Sequence, residues 1–302
     1  MLIESFIKYI RYELNLSACT VLSYSNDLKQ FKAFLTDDGK REFDAVTVTA
    51  SDIRAWVVQL VDKKDSARTV RRKLQALRAF YKYLLKRKLV ESNPAQEVEV
   101  AKVPKRLPDC VRVENVDSMF DEEVDASDFA AVRDRLILLM LYTTGIRRAE
   151  LIELKDRDVS ASELKVHGKR NKDRLVPFGE ELKFEIERYR KLKSETVGDL
   201  AGEHFFVRRS GEPLYPSLVY RLVHERLSAA GGGSRFSPHV LRHTFASAML
   251  NNGAGINSVK ELLGHESLAA TQVYTHITYS ELKSNYEHAH PRALKKRRMI
   301  WK

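Results

Sequence analysis

The stretch from Ser237 to Tyr274, SPHVLRHTFASAMLNNGAGINSVKELLGHESLAATQVY, constrains this chain more than any other. A serine N-cap followed by Pro238 at the first helical position starts a helix. His239 and Arg242 stand three residues apart and share one face of it. Asn251, Asn252 and Gly253 end that helix. A second, short helix runs to Leu263 and stops at Gly264, and His265 follows. Tyr274 lies nine residues further on. A helix N-terminus with free N–H groups, an imidazole and a guanidinium together make an anion site. Two histidines, an arginine and a tyrosine hydroxyl therefore point to a phosphate. Taken singly, a tyrosine in an Ala- and Val-containing helix is ordinary core packing, and a lone histidine is ordinarily structural. The spacing alone supports only a phosphate site near a tyrosine.

The rest of the chain supports a polyanionic partner. With 302 residues and 43% hydrophobic content, there is material for two domains with real cores. The net charge is +11 and the pI about 9.5, which favours nucleic acid first and an anionic membrane surface second. Cys19 and Cys110 form neither a disulfide framework nor a CxxC motif, so a reducing compartment is expected. The N-terminus, MLIESFIKYIRYELN, has charges spaced through it and reads as neither signal peptide nor membrane span. A soluble cytoplasmic protein is expected.

Four helical patterns open the chain. Leu2, Phe6, Ile7 and Ile10 mark the first, over residues 2–14. Ser17 caps a second, to about Leu35. Thr49 and Asp52 form a capping-box-like start for a third, with Ile53, Trp56, Val57 and Leu60 on its apolar stripe. The fourth runs from Ser66 to about Lys88 and holds nine basic residues and no acidic one: Arg68, Arg71, Arg72, Lys73, Arg78, Lys82, Lys86, Arg87 and Lys88. Like charges on one helix repel unless something anionic lies alongside. DNA phosphates would relieve that repulsion. Thr69, Arg71, Arg72 and Lys73, near the helix start, are the candidate DNA contacts. Asn93-Pro94 closes this region, and the Pro-containing stretch 95–108 reads as a linker.

The second region begins with short helices and a strongly apolar one from Phe129 to Leu141, which ends at TTGIRRAELIEL. There Gly145 permits a tight turn, and Arg147 has Glu150 three residues on to pair with or hold it. Leu164–His167 and Arg174–Pro177 read as two strands around the polar turn GKRNKD. Residues 180–193 read as a charged surface helix, FFV at 205–207 as a short strand, and 217–229 as a helix. After Tyr274 a helix over 279–289 precedes the basic tail RALKKRRMIWK.

HVLRH, LLGH and AATQVYTH closely resemble the catalytic region of tyrosine recombinases, the phage integrase family. TGIRRAEL resembles that family's TGLR-type motif, with Ile146 where leucine is common, and nominates Arg147. The resemblance places a catalytic lysine at Lys169, with Lys172 its most easily confused neighbour. The ordered set Arg147, Lys169, His239, Arg242, His265 and Tyr274 is thus filled, with Glu150 and His243 as supporting residues. The chain looks most like the Xer group, short bacterial recombinases of two domains.

That resemblance implies a mainly α fold. An N-terminal SAM-like helical bundle, the core-binding domain, would span 1–94. A mostly α catalytic domain with a small β-hairpin would span 109–302. It also implies the chemistry: arginines on the scissile phosphate, Tyr274 forming a 3′-phosphotyrosyl link, Lys169 protonating the leaving 5′-oxygen, and His239 and His265 orienting the phosphate. No metal, ATP or other cofactor is implied. The implied partner is a double-stranded DNA site, bound as a homo- or hetero-tetramer on two sites, alone or with a paralogous recombinase, with no membrane role. Chromosome dimer resolution is the expected setting. A mobile-element integrase or invertase, a type IB topoisomerase and a non-catalytic DNA-binding protein stay open as alternatives. The segment after Tyr274 is expected to pack on a neighbouring protomer, so that the chain beyond Ser280 is dispensable for folding of the monomer.

Overall fold

Hydroxyl and carboxylate caps set the helix starts. Ser66 accepts from the Thr69 amide at 3.1 Å, Thr49 and Asp52 close a full capping box, and Asp128 accepts from the Ala130 and Ala131 amides. The computed structural model describes residues 2–36, 42–100, 111, 113–121, 123–168, 173–230, 236–264 and 279–293. The chain divides into two compact units, Met1–Arg106 and Leu107–Lys302. No helix among the described residues is long and apolar enough to cross a membrane.

The first unit is all helical. α1 (Leu2–Lys8) continues as one π-helical turn, Tyr9–Glu13. α2 (Ala18–Thr36), α3 (Ala50–Asp62) and α4 (Ala67–Lys86) follow. Phe6, Ile10, Phe31, Trp56, Leu77, Phe80 and Tyr81 fill the centre. The stretch expected as linker begins on this unit: Ala95 and Val98 are buried in its core. Arg78 donates to their carbonyls at 3.0 and 2.8 Å, and Asn93 bonds the Arg78 carbonyl and the Ala95 amide. Those peptide groups have fixed partners, so 95–98 is tied down.

The second unit is built around one helix. α5 (Val113–Ser118) leads to α6 (Phe129–Thr144), which is apolar and buried nearly all round, as a central helix must be. Then come α7 (Arg148–Glu153), a 3₁₀ turn at Asp156–Asp158, and the strands β1 (Glu163–His167) and β2 (Asp173–Pro177). The strands form a two-stranded antiparallel sheet with Val166 opposite Arg174. α8 (Glu180–Thr196), α9 (Pro216–Ala229), α10 (Pro238–Asn251), α11 (Ile256–Leu263) and α12 (Tyr279–Ala289) complete it. The mainly α architecture with one small hairpin is thus as expected.

Three expectations are corrected. Phe205–Val207 form no strand. The Phe205 amide bonds the Leu154 carbonyl, the Val207 amide bonds the Tyr189 hydroxyl, and Val207 makes only an isolated bridge to Pro213. Nor is α8 only a charged surface helix: Glu180, Glu187 and Lys191 are exposed, but the opposite face is core. It packs on α6 through Leu182, Ile186 and Tyr189, and buries Glu185 and Lys193, the latter bonded to Asp156 at 2.7 Å and to the His204 carbonyl at 2.6 Å.

The third correction concerns the chain beyond Ser280. α12 packs on its own unit, burying Leu282, Tyr286 and Ala289. Asn252 donates to the Ala289 carbonyl at 2.8 Å. His290 stacks on Tyr286 with ring centroids 5.4 Å apart, and burial pushes its pKa down to about 3, so it sits neutral among aromatic rings. Arg292 is 2% exposed and pairs with both Asp117 and Glu181 at 2.7 Å, its guanidinium 4.5 Å from the Phe120 ring. This is core, and removing it would open the unit.

Candidate active site

Two glycines at helix ends prepare the site. Gly145 caps α6 with φ +63° and Gly264 caps α11 with φ +64°, a left-handed region that strongly favours glycine. A Cβ on Gly145 would stand 2.5 Å from the Phe245 ring. Each glycine turns its carbonyl toward an arginine. Helix ends leave such carbonyls unpaired, and they carry the negative end of the helix dipole.

Three arginines from three elements meet at the end of α11. Arg242 of α10 is 7% exposed and donates to the Gly145 and Leu263 carbonyls, both at 2.6 Å. Arg147, just before α7, donates to the Gly264 carbonyl at 3.0 Å. Arg174 of β2 donates from Nε to the Leu262 carbonyl at 2.7 Å. Three successive carbonyls thus hold three guanidiniums.

One carboxylate sits among them. Glu150 Oε1 accepts from Arg147 at 2.6 Å, and Oε2 accepts from the Arg147 backbone amide at 2.7 Å. Arg174 grips the same carboxylate at both oxygens, at 3.0 and 2.8 Å. Burial alone would raise the Glu150 pKa, but the bonds and charge of Arg174, then those of Arg147, pull it down to about 2. Three cations share one anion, so the cluster keeps a net charge of +2. Burial, then the charge of Arg147, pushes Arg242 down to about 10, still protonated at neutral pH. Each guanidinium has five N–H donors. The bonds above use two of those of Arg147 and two of Arg242, so both arginines can still bind an anion.

His239 opens α10 one turn before Arg242. Partial desolvation, followed by the charges of Arg148, Arg242, His243 and Arg147, holds its pKa below the ordinary histidine value. A neutral imidazole beside cations is an acceptor that an arriving phosphate would make more basic. His243, expected as support, is exposed and bears on His239 through its charge. Ser237 occupies the N-cap position in extended backbone, but its hydroxyl makes no capping bond.

The hairpin is braced at the foot of its turn. His167 bonds Asp173 at 2.7 Å and Asp158 at 3.3 Å, and the first of these chiefly raises its pKa. Gly168 follows and is the last described residue before the turn. Lys169, Lys172, His265 and Tyr274 lie outside the described residues. Of the six nominated catalytic positions, Arg147, His239 and Arg242 are therefore placed, and all three belong to one cluster. Among the described residues no group of His, Cys, Asp and Glu could hold a metal ion.

Arg174 was missed in the sequence, although a signal exists. Alternation along β2 puts Arg174 on the same side as buried Val176, while Leu175 points out and is 39% exposed. An inward arginine beside an outward leucine asks for a buried acidic partner, and Glu150 is that partner.

The candidate DNA residues of the first unit fare unevenly. Arg71 is exposed. Thr69 is half-buried, its hydroxyl 2.9 Å from that of Ser66. Arg72 is partly exposed but pairs with buried Asp27 and donates to Ser23 at 2.5 Å. Lys73 does not fit the expectation. Its side chain is 8% exposed, bonded to Asp65 at 2.7 Å and 6.0 Å from the Trp56 ring centroid, so its charge is spent inside the unit.

Comparison with known proteins gives the family. The model of the phage integrase family matches residues 110–281, and that of the phage integrase N-terminal SAM-like domain matches residues 3–88. The chain belongs to the phage integrase family and is a site-specific tyrosine recombinase, an enzyme that cuts and rejoins DNA. It is 38% identical over 294 residues to the tyrosine recombinase XerC of Listeria welshimeri, covering 96% of this chain and 97% of the relative. To XerC of Bacillus subtilis it is 36% identical over 303 residues, covering 97% of each. Among solved structures, a lambda integrase dimer bound to a COC′ core site shares the fold with a TM-score of 0.69 at 17% identity, over 99% of this chain and 98% of that one. XerH bound to its difH substrate shares it with a TM-score of 0.64 at 22% identity, over 94% and 82%.

Proposed function

We propose that this recombinase works in chromosome dimer resolution, exchanging strands between two DNA sites through a 3′-phosphotyrosyl intermediate and a Holliday junction. The observation that carries the chemistry is the convergence of Arg147, Arg242 and His239 beside the α11 end that leads into His265. Arg147 and Arg242 bind the non-bridging oxygens of the scissile phosphate, where negative charge grows in the transition state. The Tyr274 oxygen attacks phosphorus as the bond to the 5′-oxygen breaks. Lys169 gives the leaving oxygen its proton, and His239 and His265 orient the phosphate and assist proton movement at Tyr274. Bond energy is kept in the phosphotyrosyl link, so rejoining uses no ATP. The first unit binds the duplex through the exposed basic residues of α4. Four protomers, from this chain alone or with a paralogous recombinase, assemble on two sites.

The test is a nicked duplex from which the cleaved fragment diffuses away, trapping the covalent complex. Tyr274→Phe is expected to bind DNA as the parent does and to form no adduct on a denaturing gel. An adduct from that variant at the parent's level would remove Tyr274 as nucleophile.

A further inference from the structure

We propose that Arg174 is a positioning residue that preserves the positive charge of Arg147 toward the scissile phosphate by gripping Glu150 at both oxygens. This rests on the reading of Arg147 as a phosphate-binding arginine. Without Arg174, the carboxylate nearest Arg147 would be the one most able to disable it.

Arginine and carboxylate prefer to pair fork to fork, through two parallel bonds. Glu150 is 7% exposed at its side chain and lies against two arginines. Arg174 takes the fork, with NH1 on Oε1 at 3.0 Å and NH2 on Oε2 at 2.8 Å. Arg147 is left one guanidinium bond, to Oε1, while Oε2 is occupied by its backbone amide. Its other guanidinium bond goes to the Gly264 carbonyl, a dipole that fixes direction without cancelling charge. Removing Arg174 leaves each carboxylate oxygen with Arg147 as its partner, the guanidinium on Oε1 and the backbone amide on Oε2. Arg147 would then have no second cation to share the carboxylate with, and the resulting pair would be neutral.

The backbone and its neighbours fix where Arg174 stands. It stands on the inward side of β2, opposite Val166. Its Nε bond to the Leu262 carbonyl fixes the plane of its fork. Gly264 leaves room for it: a Cβ there would lie 3.1 Å from its NH1 and 3.3 Å from its Cδ. A lysine could not reproduce two parallel bonds.

The experiment measures single-turnover adduct formation by the full chain on a nicked duplex, carrying a site that the protein has selected from random-sequence DNA. Arg174→Ala is expected to slow the reaction about 100-fold, the scale of one lost charge-stabilising donor. Adding Glu150→Gln to it is expected to recover most of that loss, since a neutral amide cannot neutralise Arg147. On a duplex with an uncharged methylphosphonate at the scissile position, the Arg174→Ala defect is expected to shrink as the Arg147→Ala defect does. Should Arg174→Ala not fold, the uncharged Arg174→Gln with and without Glu150→Gln takes its place, with the same expectations. A double variant as slow as the single one would overturn the proposal, because a prop for β2 and α11 gains nothing from Glu150→Gln. Wild-type rates for Arg174→Ala would also overturn it. Arg147→Ala reacting at the wild-type rate would instead remove the underlying reading of Arg147, and this proposal with it.

Discussion

Both units carry clustered cations, but they hold them in opposite ways. In α4 Arg72 is fixed by Asp27 and Lys73 by Asp65, while Arg78 is held by the Ala95 and Val98 carbonyls that close its own unit. In the catalytic unit Arg147, Arg174 and Arg242 are fixed by peptide carbonyls at two helix ends and share a single carboxylate. A carboxylate fixes a cation and cancels it. A carbonyl fixes a cation and leaves most of its charge in place. Only the second arrangement builds a rigid site that still attracts phosphate. Arg292 belongs with the first kind despite lying in the catalytic unit, for it is buried between Asp117 and Glu181.

The largest effect should come from breaking that last case. Removing one partner of a buried ion pair costs roughly 3–5 kcal/mol. Arg292→Ala is expected to lose about that much stability in chemical denaturation, yet to form adduct at a normal rate per folded molecule. Arg242→Ala should do the reverse in kind. Losing a charge-stabilising donor costs about 100- to 1,000-fold in rate, with DNA binding largely kept. If Arg292→Ala slowed adduct formation as much as Arg242→Ala, the division between quenched and unquenched arginines would fail.

A smaller effect concerns two carboxylates facing arginine. Glu150 receives two arginines and a backbone amide, and its pKa falls to about 2. Asp27 receives Arg72, which is 43% exposed, and burial keeps its pKa above the ordinary value. The pH dependences therefore have opposite signs. The Glu150 contribution is complete above its unfolded pKa near 4.5 and is lost as pH falls toward 2. That difference corresponds to about 3 kcal/mol at 1.36 kcal/mol per decade. Ionised Asp27 instead costs stability above its raised pKa, and the cost vanishes as pH falls to 3.8. Denaturation of the full chain between pH 3 and 7 should show the deficit of Glu150→Gln shrinking in acid. Asp27→Asn should gain on the parent as pH rises. Parallel behaviour of the two variants would break the comparison.

What could be read from the sequence, and what could not, follows the same line. Periodicity and caps marked most helices, because apolar stripes and N-cap side chains act over a few residues. His239 and Arg242 could be paired because one turn of helix separates them. The partners of the arginines could not be read, since the Gly145, Leu262, Leu263 and Gly264 carbonyls are backbone groups that every sequence possesses. The nine cations between Ser66 and Lys88 looked like one unpaired face, because Glu13, Asp27 and Asp65 lie elsewhere in the chain. The strand expected at Phe205–Val207 failed for a related reason: three apolar residues suit a ladder or a buried bend, and only tertiary partners decide.

The smallest effect tests α4 itself. Arg68, Arg71, Lys82 and Lys86 are exposed at helical spacing, and we expect them to follow the phosphate backbone. Each such contact adds about 0.9 to the slope of log K against log salt. Arg71→Ala should lower that slope by about one contact and leave stability within about 0.5 kcal/mol of the parent. Lys73 stands two residues further along the same helix and enters every charge count equally. Its ammonium is held by Asp65 and the Trp56 ring, so it displaces no counterion from DNA. Lys73→Ala should leave the salt slope unchanged and cost about 1 kcal/mol of stability through the lost pair and ring contact. Measured side by side over a salt titration, equal slopes for the two variants would mean that Lys73 leaves Asp65 for phosphate when DNA arrives. The carboxylate-held cations of α4 would then be a reserve for binding, and the contrast with the catalytic unit would hold only in the absence of DNA.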